Sequence, residues 1–259
     1  MNANFRHLYA QLYDQSVSDW PHEIDFYRDL AAQAQGEAIV EVACGTGRVA
    51  IPLAEGGARV TGLDLNPAML DIARKKSRGR VNMRWVEGDM RSFALGESFG
   101  LALIPGHAFQ NLNTPDDQLD CLACIRRHLV PGGLLVVHLD HQDVGWLGEI
   151  GADKAGVYET GSEVTDTQTG NRYRESYAWA YERSSQTATL WHVWEQVDSE
   201  GMVIRRTESG PIPLHCFFRY EMEHLAYRAG FVVEALYGDF LRQPLQDDSS
   251  DMIWLLRKP

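Results

Sequence analysis

The 259-residue chain is 44% hydrophobic and 23% charged, and 24 basic against 36 acidic side chains leave a formal charge of −12. This length and mix imply one large globular domain, or one domain with an insertion, and exclude general disorder. The acidic balance disfavours nucleic acid and anionic lipid as partners, and no run approaches the ~18 apolar residues of a membrane span. The N-terminal MNANFRHLYAQLYDQ lacks the pattern of a signal peptide. Four cysteines in a chain this long do not form a disulfide framework, so reduced thiols in a cytoplasmic setting are expected.

The first third alternates strand and helix signals. AIVEVA is a short apolar run that ends at a Gly-rich turn. GRVAIPLAEGG has helical spacing, ARVTGLDL reads as a second strand, and PAMLDIARKK as a helix with Pro67 near its start. VNMRWVEGD and FGLALIP are a third and a fourth strand, and DDQLDCLACIRRHL is a helix stopped at Pro131-Gly132-Gly133. LLVVHLDH is a fifth strand. Apolar strands that alternate with helices imply a parallel sheet covered on both faces.

From about Val157 to Glu208 the pattern changes to β-hairpins, with Tyr173, Tyr177, Trp179 and Tyr181 at period two. A helix (RYEMEHLAYRAGF) and two strands (VVEALYGD, DMIWLLRK) follow. The expected class is α/β: a doubly wound Rossmann-like sheet with an antiparallel β insert between the fifth strand and the last helix. The expected domains are an N-terminal helical cap (1–36), the sheet domain (37–142 and 217–259) and the insert, read as a lid (143–216).

Glu41-Val42-Ala43-Cys44-Gly45-Thr46-Gly47 lies between a strand and a helix. Gly45 permits a tight turn, Gly47 a close backbone approach, and Ala50 stands at the third position of G-x-G-x-x-G/A. Asp64 ends the second strand, where a carboxylate can accept from both hydroxyls of a ribose. NAD would fit these features. Three others point elsewhere: the acid Glu41 inside the first strand, a further acid in Glu87-Gly88-Asp89-Met90, and the absence of a Tyr-x-x-x-Lys pair.

The stretch VEVACGTGRVAIPLAEGGARVTGLDLNPAMLDIARKK resembles the cofactor half of the class I S-adenosylmethionine (SAM) dependent methyltransferases. EGDMRSF, FGLALIP and LVPGGLLVV follow in that family's order, so the likeness covers roughly Ala38 to Leu139. The tail FFRYEMEHLAYRAGFVVEALYGDF resembles bacterial small-molecule members and, more distantly, glycine and amino-sugar N-methyltransferases. The resemblance implies SAM as cofactor. It implies that Glu41 holds the methionine amine, that Ala43, Gly45 and Gly47 form the loop beneath the methionine part, and that Asp64 takes the ribose. Leu65 would then flank the adenine, Asp89 bind its amino group, Met90 pack near the ring and Pro105 sit beside the methyl. Tyr13 would reach the cofactor carboxylate. Two departures stand out: Glu41 replaces the family's usual Asp, and Gly100 replaces an Asp near the start of the fourth strand. Pro105-Gly106-His107-Ala108 also differs from the Asn/Asp-Pro-Pro-Tyr motif of enzymes that methylate nucleobase amines.

The expected activity is methyl transfer to nitrogen or oxygen of a small molecule. Alternatives are a SAM-binding cyclase or lyase, a regulatory SAM-binding module and an NAD-dependent oxidoreductase. A base is required only if the acceptor arrives protonated. His107, His138 and His141 are the candidates, with Asp140 near them. No metal site is expected. Cys121, Cys124 and His128 share a helix face, but packing on the sheet accounts for them and no fourth ligand is in sight. The tyrosine and tryptophan face of the insert offers either a cation–π pocket or a core. Arg219 could pair with an acceptor carboxylate. A homodimer through the insert's strands is a further possibility.

Overall fold

The computed structural model describes residues 2–17, 20–34 and 36–259. Residues 1, 18, 19 and 35 of the expected cap lie outside them. Two compact units emerge: residues 19–142 with 217–259, and residues 1–18 with 143–216.

The larger unit is built on a seven-stranded sheet. Its strands are β1 (Ile39–Val42), β2 (Val60–Asp64), β3 (Met83–Glu87), β4 (Phe99–Ile104), β5 (Leu129–Asp140), β10 (Val232–Tyr237) and β11 (Asp251–Arg257), in the order β10-β11-β5-β4-β1-β2-β3. Strands β1 to β5 pair in parallel, and β11 runs antiparallel to both β5 and β10. The order reverses between β1 and β4, and in open α/β sheets ligands bind beyond the strand ends at such a switch point.

Helices cover both faces. Helices α5 (Pro115–His128) and α7 (Arg219–Arg228) bury Cys121, Leu122, Ile125, Met222 and Ala226 on one side. Helices α2 (Glu23–Gln33) and α3 (Ala50–Glu55) bury Phe26, Tyr27, Leu30 and Leu53 on the other. Local chemistry sets the helix ends. Helix α4 (Pro67–Lys76) starts at Asn66, whose side chain accepts from Ala68 N, and ends in Arg74, Lys75 and Lys76. Strand β5 begins directly after α5, so the Pro131-Gly132-Gly133 expected to stop the helix lies inside the strand. Gly132 N donates to Lys258 O there at 3.0 Å.

The smaller unit is an antiparallel sheet in the order β6-β7-β8-β9, with β6 at Glu159–Thr165, β7 at Arg172–Glu182, β8 at Thr187–Val197 and β9 at Val203–His215. Strand β9 runs past the expected hairpin limit of Glu208. Helix α1 (Ala3–Ser16) belongs to this unit, and α2 to the other, so the helices expected as one cap are divided. Phe5 and Leu12 of α1 share a core with Val164, Tyr173 and Trp194. Gln11 Nε2 donates to Asp166 Oδ2 at 2.6 Å, which fixes α1 to the β6–β7 turn. A short helix, α6 (Val144–Glu149), is capped by Asp143, which accepts from Trp146 N at 3.0 Å.

Candidate functional site

At the switch point of the larger unit, the loop after β1 is held by hydrogen bonds to a carboxylate. Asp64, at the end of β2, accepts from Gly45 N through one oxygen and from Asn66 N through the other, both at 2.8 Å. Burial raises its carboxyl above the ordinary value, and these backbone donors oppose that. The loop bends through left-handed conformations at Ala43 (φ 58°), Gly45 (φ 55°) and Gly47 (φ 82°). For alanine this costs about 1 kcal/mol or more, and such strain collects at ligand sites.

The two glycines differ in purpose. A Cβ on Gly45 would point into open space, whereas one on Gly47 would lie 2.7 Å from the Trp85 ring. Gly45 thus keeps a cradle clear, and Gly47 lets the loop pack on Trp85.

Glu41 is 2% exposed, and its Oε2 has no hydrogen-bond partner. Burial pushes its pKa up to about 8; the nearby Arg48 charge opposes this and Glu23 adds to it. Such an orphaned acid favours a cationic ligand group, which would restore its charged form. Arg48 is itself paired with the fully buried Glu23, one of the two contacts measuring 3.0 Å, and its guanidinium lies 5.1 Å from the Trp20 ring centre. Glu23, Arg48 and Trp20 carried no motif. Their role in the site is visible only once α2 is placed beside the loop.

Leu65 is 58% exposed, open for a flat ring to pack on. Asp89 is gripped by its neighbour: Arg91 donates to both carboxylate oxygens at 2.6–3.1 Å and also reaches Asp117 at 2.6 Å. These side-chain bonds hold the Asp89 carboxyl below its usual range. Met90 packs at the edge of the core and Pro105 is buried.

Beyond β4 and β5 the structure gathers four titratable groups. Gly106 and His107 both have φ 60°, which turns the His107 ring back over the sheet. His107 Nδ1 lies 3.0 Å from Asp140 Oδ1, and its Nε2 lies 3.0 Å from His138 Nε2 and 3.3 Å from Asp251 Oδ1. His138 Nε2 is 2.7 Å from the same Asp251 oxygen. Gly106 N donates to His138 Nδ1 at 3.3 Å, so the neutral ring carries its proton on Nε2. Burial lowers the His138 pKa and keeps that ring neutral. Burial alone would raise Asp251, but bonds from His107, His138 and Ser250 outweigh it and hold the carboxyl well below the usual range. Trp20 stands edge-on to both imidazoles, at 5.1 and 5.0 Å between ring centres.

His107, His138 and Asp251 also place ligand atoms within 4.8 Å of one another, a grouping absent from the expectation of no metal. His141 stands apart, with Nδ1 2.9 Å from Ser249 O. Asp251 was missed because it lies over a hundred residues from His138 in sequence; the antiparallel pairing of β11 with β5 brings it there. Cys121, Cys124 and His128 are core and backbone contacts: Cys124 Sγ donates to Phe93 O, and His128 Nε2 accepts from Leu95 N.

The smaller unit holds a cavity of about 910 Å³. Trp179 and Tyr177 of β7 and Trp146 of α6 form apolar walls, with the two indoles edge to face at 5.5 Å. Glu149, Glu159 and Glu175 add carboxylates. Glu175 Oε1 lies 2.7 Å from the Nε2 of the buried His192, off the line of a hydrogen bond. The aromatic face therefore splits: Tyr173 joins the core and Tyr177 and Trp179 line the cavity. Tyr13, on α1 in this unit, packs edge-on against Tyr9, and Arg219 in the larger unit lies exposed over Tyr220. No helix among the described residues is long and apolar enough to cross a membrane.

Residues 39–133 match a family model described as a methyltransferase domain. The cypemycin N-terminal methyltransferase of a Streptomyces species is 34% identical over 140 residues, 53% of this chain and 56% of that protein. A dTDP-3-amino-3,6-dideoxy-alpha-D-glucopyranose N,N-dimethyltransferase of Streptomyces fradiae is 32% identical over 168 residues, 60% and 61% of the two chains. The chain thus spans little more than half the length of these curated relatives. Among solved structures, the CcbJ methyltransferase of Streptomyces caelestis aligns over 96% of both chains at 24% identity with a TM-score of 0.77. SAM-bound CalS10 of Micromonospora echinaspora, an amino pentose methyltransferase, aligns over 97% of both at 22% identity and 0.69. Likeness at that identity is one of fold, and the fold is that of the Rossmann-like methyltransferases.

Proposed function

We propose that this chain, which belongs to the class I SAM-dependent methyltransferases, transfers a methyl group to the nitrogen of a small-molecule amine. The observation that carries the reading is the buried Glu41, whose Oε2 lacks a hydrogen-bond partner, beside a loop kept clear at Gly45 and tied to Asp64. An aminoacyl nucleoside matches all three: an ammonium for Glu41, a chain along the Gly45 backbone, and ribose hydroxyls for Asp64. Leu65 and Met90 would flank the adenine, and Asp89 would reach its amino group by exchanging part of its hold on Arg91. Pro105 would lie beside the methyl. SAM supplies an activated methyl on a sulfonium, so the protein aligns the acceptor and excludes water.

Nitrogen is favoured over oxygen by the aromatic and carboxylate-lined cavity of the smaller unit, which suits an ammonium, and by relatives named as an N-terminal methyltransferase and an N,N-dimethyltransferase. An ammonium must lose a proton before it can act as a nucleophile. His107, 21% exposed at its side chain, is the open member of the Asp140–His107–His138–Asp251 cluster. In the neutral ring with its proton on Nδ1 toward Asp140, the Nε2 lone pair would take that proton once it leaves its contacts to His138 and Asp251. His138 is a positioning residue, and His141 has no part. A small-molecule acceptor fits the net charge of −12. A cytoplasmic setting fits four buried cysteines, none of them in a disulfide.

The test is product analysis of the protein incubated with SAM and a panel of primary amines. Methyl transfer gives S-adenosylhomocysteine and a methylated amine in equal amounts. Methylthioadenosine instead would indicate a cyclase or lyase and overturn the reading.

A further inference from the structure

The charge of the smaller unit's cavity bears on which amines can enter. Three carboxylates line it, and Lys154 is the one lysine or arginine among the described lining residues. Two of the acids, Glu149 and Glu159, are exposed, while Glu175 is half-buried against His192. The remaining wall is Trp146, Trp179 and Tyr177, whose ring faces attract cations and tolerate apolar bodies. A diphosphate brought into this lining would meet like charge on most sides, with no arginine fork to hold it. The volume, about 910 Å³, accommodates a drug-sized molecule.

We infer that this cavity takes a free cationic amine and turns away acceptors that carry a nucleoside diphosphate. The inference rests on the proposed amine methylation and departs from the nucleotide-linked amino sugar in the name of the Streptomyces fradiae relative. Glu149 and Glu159 set the preference for positive charge, and Trp146 and Trp179 hold the body of the molecule. Glu175, tied to His192, shapes the floor.

Titration calorimetry on the full chain without SAM tests this. The probes are phenethylammonium, its uncharged analogue 2-phenylethanol, and thymidine diphosphate. The amine is expected to bind at least about tenfold tighter than the alcohol, and thymidine diphosphate is expected not to compete with it. In the double variant Glu149→Gln/Glu159→Gln the preference is expected to fall below about threefold. Both side chains are exposed, so the variant should fold, and an unchanged melting curve checks that. Equal binding of amine and alcohol, binding of neither, an unaltered preference in the variant, or competition by thymidine diphosphate each overturns the inference. A parallel titration with S-adenosylhomocysteine separates the two levels. If that ligand binds while the amine preference fails, only this inference falls; if it does not bind, the proposed function falls too.

Discussion

In the larger unit, the candidate site is built of backbone amides and buried carboxylates. Gly45 N is held on Asp64, Glu41 is sealed into β1, and the loop turns through three left-handed residues. In the smaller unit, the cavity wall is made of side chains from α1, α6 and strands β6 to β8, several of them exposed. A parallel sheet fixes its loop ends through crossovers packed on both faces, so a motif of a few residues can specify a site. A meander fixes only its strand register, and each wall residue is then free to suit a different ligand. The same contrast separates a cofactor shared across a family from an acceptor that varies within it.

The comparison is broken most severely at Asp64. Asp64→Ala should weaken S-adenosylhomocysteine binding by about 100-fold, ~2.7 kcal/mol, because it removes a charged acceptor and releases the Gly45 and Asn66 amides. Calorimetry that finds affinity within threefold of the parent would remove Asp64 from the cofactor site.

Glu41→Gln should have opposite effects on stability and binding. A folded-state pKa raised from 4.5 to about 8 means the folded protein holds a proton that the unfolded chain gives up. That acid stabilises fully below pH ~4.5, and the contribution drains away as pH rises through 8. At pH 7 the cost of burying Glu41 reaches at most ~3 kcal/mol, so the glutamine variant should be more stable there and no more stable near pH 4. Its affinity for S-adenosylhomocysteine should fall at the same time. Denaturant melts at the two pH values check the first half; a variant equally or less stable at pH 7 would count against a strained Glu41.

The two glycines sharpen the comparison within one loop. Gly47→Ala should cost about 1–3 kcal/mol of stability, from a Cβ 2.7 Å from Trp85 and a φ of 82°. Gly45→Ala should cost less stability and more cofactor affinity, since its Cβ enters open space. Melting temperature and ligand affinity measured on both variants should therefore rank them in opposite orders. Identical ranking would show that the space at Gly45 is not a ligand's.

The smallest effect belongs to the smaller unit. Trp146→Ala should raise an amine acceptor's KM by about fivefold, the loss of one cation–π wall of roughly 1 kcal/mol. It should leave S-adenosylhomocysteine affinity unchanged. A matched loss of cofactor affinity would erase the distinction drawn between the units.

How much of this was legible in the sequence follows the same divide. Strand–glycine–helix order around Cys44 and the acid at Asp64 are local, and they placed both the fold and the candidate loop. Period-two aromatics announced the insert's sheet, but not that Tyr173 belongs to a core and Tyr177 to a cavity. That depends on where α1 packs, and Phe5 and Leu12 lie about 160 residues away. His107 and His138 were visible as candidates, whereas Asp251 and Arg48 were not. Their placement comes from antiparallel pairing of β11 and from α2 covering the loop, neither of which leaves a spacing to read. Glu175 sits between Tyr173 and Tyr177 on the aromatic face and was open to notice by the same alternation.

The most direct measurement is calorimetric titration of the chain with S-adenosylhomocysteine at pH 7 in two buffers of different ionisation heat, with NAD as control. Glu41, protonated at pH 7 when its pKa is about 8, must ionise to receive the ligand's ammonium. Binding should therefore release close to one proton at pH 7, while NAD gives no heat of binding. Binding of NAD instead, or S-adenosylhomocysteine binding with no proton released at pH 7, would contradict the site built around Glu41.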